Sequence, residues 1–144
     1  MGPFNLMRAF RQILALLFAL TLIGAANAQE PRELRGVALV VGNGDYEMLT
    51  PLANPGTDAR AMDDLLDELG FKTYRSLDED ADTLREDMDD FLERSEGRDV
   101  AVLYYAGHGV EAGGRNYLVG TDADPRGPTP GESLVALQAF LNEL

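Results

Sequence analysis

The sequence predicts an α/β fold, a mainly parallel sheet flanked by helices. Two strand-length apolar runs, Gly36 to Gly42 and Asp99 to Ala106, are too continuous for a strand with one wet face. Two stretches between them carry apolar residues at three- and four-residue spacing, the mark of amphipathic helices. The alternating order points to crossover units, in which helices cover both faces of parallel strands.

The elements follow in order. Gly36-Val37-Ala38-Leu39-Val40-Val41-Gly42 is the first strand, and Asn43 to Gly56 is a loop rich in Gly, Asn and Pro. Thr57 to Leu69 is helical, with Ala59, Met62, Leu65, Leu66 and Leu69 as its apolar stripe and Gly70 closing it. Phe71 to Leu77 is a second strand. Thr83 to Ser95 is a second helix, with Leu84, Met88, Phe91 and Leu92 facing the core and Asp82 as N-cap. The strand ending at Ala106 leads directly into Gly107-His108-Gly109. Val110 to Val119 forms a hairpin turning at Gly113-Gly114, and Gly120 to Gly131 is a loop. Leu134, Leu137, Leu141 and Leu144 begin a third helical stripe.

The first 28 residues read as a secretory signal. Arg8 and Arg11 supply positive charge, Ile13 to Gly24 is apolar, and Ala26-Asn27-Ala28 offers a small-x-small site with cleavage expected before Gln29. The apolar run is short for a bilayer-spanning helix, which needs roughly 20 residues. The expectation is therefore an exported protein, periplasmic or extracellular, with no stable membrane anchor after cleavage. Residues 29–35 form a short lead, and 36–144 form the domain. Loss of the leader's two arginines takes the formal net charge from −13 to −15. So acidic a surface repels phosphate backbones and argues against nucleic-acid binding; its simplest role is solubility. The chain holds no cysteine, which excludes disulfides and thiolate zinc sites. Asp78-Glu79-Asp80 has oxygen ligands for calcium but not the spacing of a calcium loop, and reads as a solvated loop. No metal and no cofactor is expected.

Ligands of parallel α/β sheets gather at the carboxyl ends of strands, so the loops after Val41 and Ala106 are where function belongs. His108 is the sole histidine and stands at such an end, between two glycines. An imidazole there can move protons near neutral pH. Its position alone fits a plain turn histidine equally well.

The surrounding words add a resemblance. Val37-Ala38-Leu39-Val40-Val41-Gly42-Asn43, Tyr46, Leu52-Ala53-Asn54-Pro55, Asp58-Ala59 and Leu69-Gly70-Phe71 come first. Tyr104-Tyr105-Ala106-Gly107-His108-Gly109, Asn116-Tyr117-Leu118-Val119 and Asp122 follow. This succession resembles the large-subunit region of the caspase, paracaspase and metacaspase family in its bacterial form, from about Leu34 to Leu144. The resemblance implies a caspase-like layered fold, incomplete at its C-terminus, and peptide-bond cleavage by a Cys–His dyad. His108 would be the general base and acid, and the backbone N–H of Gly109 an oxyanion donor.

The resemblance breaks at the nucleophile. In caspases the cysteine lies about 50 residues after the histidine, which from His108 points to about position 158. The expectation is therefore a partial peptidase domain, inactive alone, that needs a further C-terminal segment to complete its site and act on a peptide or protein substrate. Ser133 and Thr129 do not stand at strand ends and do not replace the cysteine. Leu52 falls where aspartate-specific caspases carry an arginine, against a strict aspartate preference; a basic preference suits an acidic protein. Asp58 is a candidate substrate-binding residue for it, beside a plainer role as helix N-terminal charge. A non-catalytic caspase-like binding or regulatory module is the alternative. A flavodoxin-like binder is a third, but no glycine-rich phosphate loop follows the first strand.

Overall fold

The computed structural model describes residues 34–129 and 131–144; the secretory signal read over residues 1–28 lies outside them. Strand β1 (Gly36–Gly42) is followed by helix α1 (Pro55–Glu68), strand β2 (Lys72–Leu77), helix α2 (Ala81–Ser95) and strand β3 (Val100–Ala106). Strands β4 (Gly109–Ala112), β5 (Arg115–Val119) and β6 (Leu134–Ala136) come next, then helix α3 (Leu137–Glu143).

The three long strands form a parallel sheet in the order β2-β1-β3. Alternate residues of β1 serve two cores. Val37, Leu39 and Val41 pack with Ala81, Leu84, Met88 and Phe91 of α2 and with Leu118, Val135 and Phe140. Ala38 and Val40 pack on the other face with Ala59 and Leu66 of α1. β1 is therefore buried along its whole length, as its continuous apolar run requires. The chain passes from β1 to one side and returns across it to the other. The carboxyl ends of β1 and β3 consequently flank the point where the strand order reverses, where such sheets open a crevice. β4, β5 and β6 form a separate antiparallel sheet, and Gly113 and Gly114 make its hairpin turn at φ 60° and 78°.

Several local expectations are corrected. α1 begins at Pro55, because Pro fits the first helical position, where its missing N–H is not needed. Leu65 and Leu69, counted in its buried stripe, are 49% and 65% exposed. The cap of α2 is Asp80, whose carboxylate accepts from the Thr83 N–H at 2.8 Å, and Asp82 lies inside the first turn. Leu134 belongs to β6, and Leu141 and Leu144 are exposed; Phe140 is the buried anchor of α3. Asp78-Glu79-Asp80 is not a merely solvated loop: Asp78, in the left-handed region at φ 57°, accepts the N–H groups of Gly44 (2.8 Å) and Asp45 (3.0 Å). Among the described residues no helix is long and apolar enough to cross a membrane.

Candidate active site

The crevice is built from the ends of β1, β3 and β5. Asn43 follows β1 and is fully buried. Its N–H continues the ladder to Ala106 O at 2.8 Å. Its side-chain amide donates to Glu79 O (3.0 Å) and Val119 O (3.3 Å) and accepts from Glu79 N–H (3.1 Å). The side chain thus ties the segment after β2 to the end of β5, and its polar atoms are satisfied, as a buried amide requires.

The loop beyond Asn43 is drawn in by Asp78 and carries Tyr46, which is 4% exposed, up to His108. The Tyr46 ring lies 4.6 Å from the imidazole, tilted by 54°. Its hydroxyl accepts the His108 backbone N–H at 2.7 Å and sits 3.2 Å from the Tyr105 hydroxyl. The Tyr105 hydroxyl in turn faces the carbonyls of His108 (2.9 Å) and Val119 (3.0 Å). Burial, helped by the bond to Tyr46, raises the Tyr105 phenol well above its usual range, so it stays a neutral donor.

His108 is half-buried, and its Nε2 lies 2.8 Å from Thr50 O. A carbonyl only accepts, so in the neutral ring this contact assigns the proton to Nε2 and leaves Nδ1 with a lone pair. Gly109 is exposed. Val119 N–H bonds to His108 O at 3.2 Å, and Gly109 pairs with Leu118 in the next register. In an antiparallel ladder hydrogen-bonded and non-bonded pairs alternate, so the Gly109 N–H points away from β5, towards the open side.

The two glycines beside His108 differ. Neither has a positive φ, so backbone conformation is not what demands glycine at either position. A Cβ on Gly107 would lie 2.6 Å from the Tyr105 hydroxyl and 2.7 Å from that of Tyr46. A Cβ on Gly109 would meet only Tyr117 O, at 3.5 Å. Glycine at 107 serves the tyrosines, whereas the space over 109 is open to an incoming group.

Asp58 lies exposed in the first turn of α1, which starts from the loop leaving the end of β1. Leu52 is partly buried and packs against the cluster of Tyr46, Val119 and Ala123. Ser133 donates to Asp122 at 3.1 Å and Thr129 to Glu132 at 2.7 Å, and neither hydroxyl joins the His108 network. A cavity of about 520 Å³ near the start of α2, lined by Asp82, Arg85, Asp122 and Glu132 among others, includes none of the residues around His108. Among the described residues no group of three or more His, Asp or Glu converges to hold a metal ion.

The family model of the caspase domain, peptidase C14, matches residues 35–141, nearly all of the described chain. The protein belongs to the caspase-domain family. This caspase domain is also similar to the human mucosa-associated lymphoid tissue lymphoma translocation protein 1. The two are 34% identical over 105 residues, which is 73% of this chain and 12% of that protein. The mouse homologue is 33% identical over the same shares. The chain thus spans about an eighth of the length of these relatives.

Asn43, Thr50 and Tyr105 have structural roles here that the sequence did not assign. Asn43 and Tyr105 stood inside the family words with no signal for what they bond. Thr50 acts through its main-chain carbonyl, which has no signature in side-chain identity.

Proposed function

We propose that this caspase domain is the histidine-bearing part of an exported cysteine-type endopeptidase. The observation that carries the reading is His108 at the end of β3, its Nε2 bonded to Thr50 O and its Nδ1 left as the basic nitrogen. The sequence holds no cysteine, so the thiol has to come from outside these 144 residues. The outer edge of β3 is unpaired among the described residues, which suits a further strand that would bring a cysteine beside His108.

The chemistry is then acyl transfer in two steps. The imidazole takes the thiol proton, and the thiolate attacks the scissile carbonyl carbon. The negative oxygen of the tetrahedral intermediate accepts the outward N–H of Gly109. The imidazolium gives its proton to the leaving amine as the C–N bond breaks. Water, deprotonated by the imidazole, cleaves the thioester and releases the acid and the thiol. The substrate is a polypeptide. Asp58 is a candidate contact for a basic side chain, in keeping with the acidic surface. The apolar leader pattern of residues 1–28 supports export.

The test compares this chain alone with the same chain continued by a strand and cysteine-bearing turn. The chain alone should cleave no Arg-, Lys- or Asp-ended peptide. The continued protein should do so, and thiol alkylation should abolish it. Cleavage by the chain alone that is lost on His108→Ala would overturn the requirement for a thiol. The absence of cysteine equally suits a non-catalytic caspase-like module that serves assembly or regulation. Lack of any alkylation-sensitive cleavage by the continued protein, with its fold intact, would favour that second reading.

A further inference from the structure

We propose that Tyr46 and Tyr105 are positioning residues that form a two-tyrosine clamp around His108 and hold its imidazole on Thr50 before any thiol or substrate arrives. The proposal deepens the peptidase reading and rests on it for the meaning of His108, but its geometry is independent of that reading.

Four contacts make the clamp. Tyr46 Oη takes the His108 N–H at 2.7 Å, and Tyr105 Oη reaches the His108 carbonyl at 2.9 Å. The two hydroxyls, 3.2 Å apart, join these contacts into one unit. The Tyr46 ring lies against the imidazole at 4.6 Å. The His108 N–H is therefore satisfied by a phenol hydroxyl, and its carbonyl is shared between the Tyr105 hydroxyl and the Val119 N–H. An ordinary extension of the β4–β5 ladder would instead satisfy its N–H with Val119 O. The Tyr46 hydroxyl stands between these groups, 3.4 Å from Val119 O.

The clamp has its own supports. Tyr46 is buried against Val119 and Ala123. Its loop is fixed by Asp78 bonds to Gly44 and Asp45 and by the Glu47 N–H bond to Thr121 O at 3.0 Å. Gly107 lacks a side chain where one would strike both hydroxyls. A ring held at its backbone, on one face and at Nε2 has few orientations left. The histidine would then enter the reaction with its tautomer already chosen, which is the preorganisation that proton transfer rewards.

His108 is the sole histidine of the chain, so its imidazole signals need no assignment in a protein made without a histidine tag. The experiment is imidazole 15N and 1H spectroscopy of the full 144-residue chain and of its Tyr46→Phe, Tyr105→Phe and Tyr74→Phe variants. The native protein should show a single Nε2–H tautomer with a slowly exchanging ring proton. Tyr46→Phe and Tyr105→Phe should each speed that exchange and lower the tautomer ratio by about 2- to 10-fold, the equivalent of one hydrogen bond. Tyr74→Phe, in β2 beneath Arg94, should change neither. A native protein whose imidazole is Nδ1–H or freely averaging would overturn the clamp, whether or not the variants fold. So would imidazole signals in both clamp variants that match the native ones. Responsive signals in a cysteine-supplied protein that cleaves nothing would uphold the clamp and overturn the peptidase reading.

Discussion

β1 and β3 lie side by side in parallel, seven residues each, and both read in the sequence as apolar runs of the same kind. Every residue of β1 is buried, while every residue of β3 is half-exposed. The difference lies in their neighbours. β1 is paired on both edges and covered by α1 on one face and α2 on the other. Among the described residues β3 is paired on one edge only. Their ends differ accordingly. β1 ends in Asn43, a fully buried amide that ties the segment after β2 to the end of β5. β3 ends in His108, held by two tyrosines and one carbonyl beside an open edge. A strand's composition tells that it belongs to a parallel sheet; the position in that sheet decides whether it serves as a scaffold or as the rim of a site.

The largest effect that can break this comparison is a matched truncation. Leu39 and Leu103 face each other in the register of β1 and β3 and belong to the same core, but Leu39 is 1% exposed and Leu103 only partly buried. Leu39→Ala should cost about 3–5 kcal/mol. Leu103→Ala should cost about 1–2 kcal/mol, because less of its apolar surface leaves water. Urea unfolding of both variants measures the pair, and equal costs would contradict a buried strand beside an exposed one.

A smaller effect separates the two glycines after β3. Gly107→Ala drives a methyl group into the two tyrosine hydroxyls and should destabilise by about 1–3 kcal/mol. Gly109→Ala has room and should stay within about 0.5 kcal/mol of the parent. Thermal unfolding distinguishes them, and a Gly109→Ala variant as unstable as Gly107→Ala would mean that the space over Gly109 is not open.

The smallest effect lies at the cap of α2, in the segment that leads away from β2 beside the end of β1. The Thr83 backbone N–H, then its side chain, holds the Asp80 carboxyl below its ordinary value of 3.8. A depressed folded-state value means that its stabilisation is present above that ordinary value and fades as pH falls through the folded one. Asp80→Ala should therefore lower the melting temperature at pH 7, and the gap to the parent should narrow as the pH falls below the ordinary carboxyl value of 3.8. A gap that widens on acidification would give the cap the wrong sign.

How much of this was legible in the sequence depends on what each feature is made of. β1, β3 and the buried face of α2 were legible because their apolar spacing maps directly onto two faces of a sheet and one stripe of a helix. His108 was legible because the end of an apolar strand is also the edge of a crevice. β6 was not, because three residues are too few to display a period and Leu134 fits a helical stripe as well. The cap of α2 was misread by two residues because Asp80 and Asp82 are both acidic, and only geometry tells which carboxylate reaches Thr83. The Asp78 turn and the Thr50 contact depend on main-chain groups brought together from distant segments, which neither composition nor spacing encodes.

The central claim is that His108 is the proton-transfer group of a thiol peptidase. It is tested most directly by measuring kcat/KM for a peptide substrate in the cysteine-supplied protein, with and without His108→Ala. The account predicts a loss of about 10²- to 10⁴-fold, the usual worth of a positioned general acid–base, with the fold unchanged. A His108→Ala protein that retains the parent rate would contradict it.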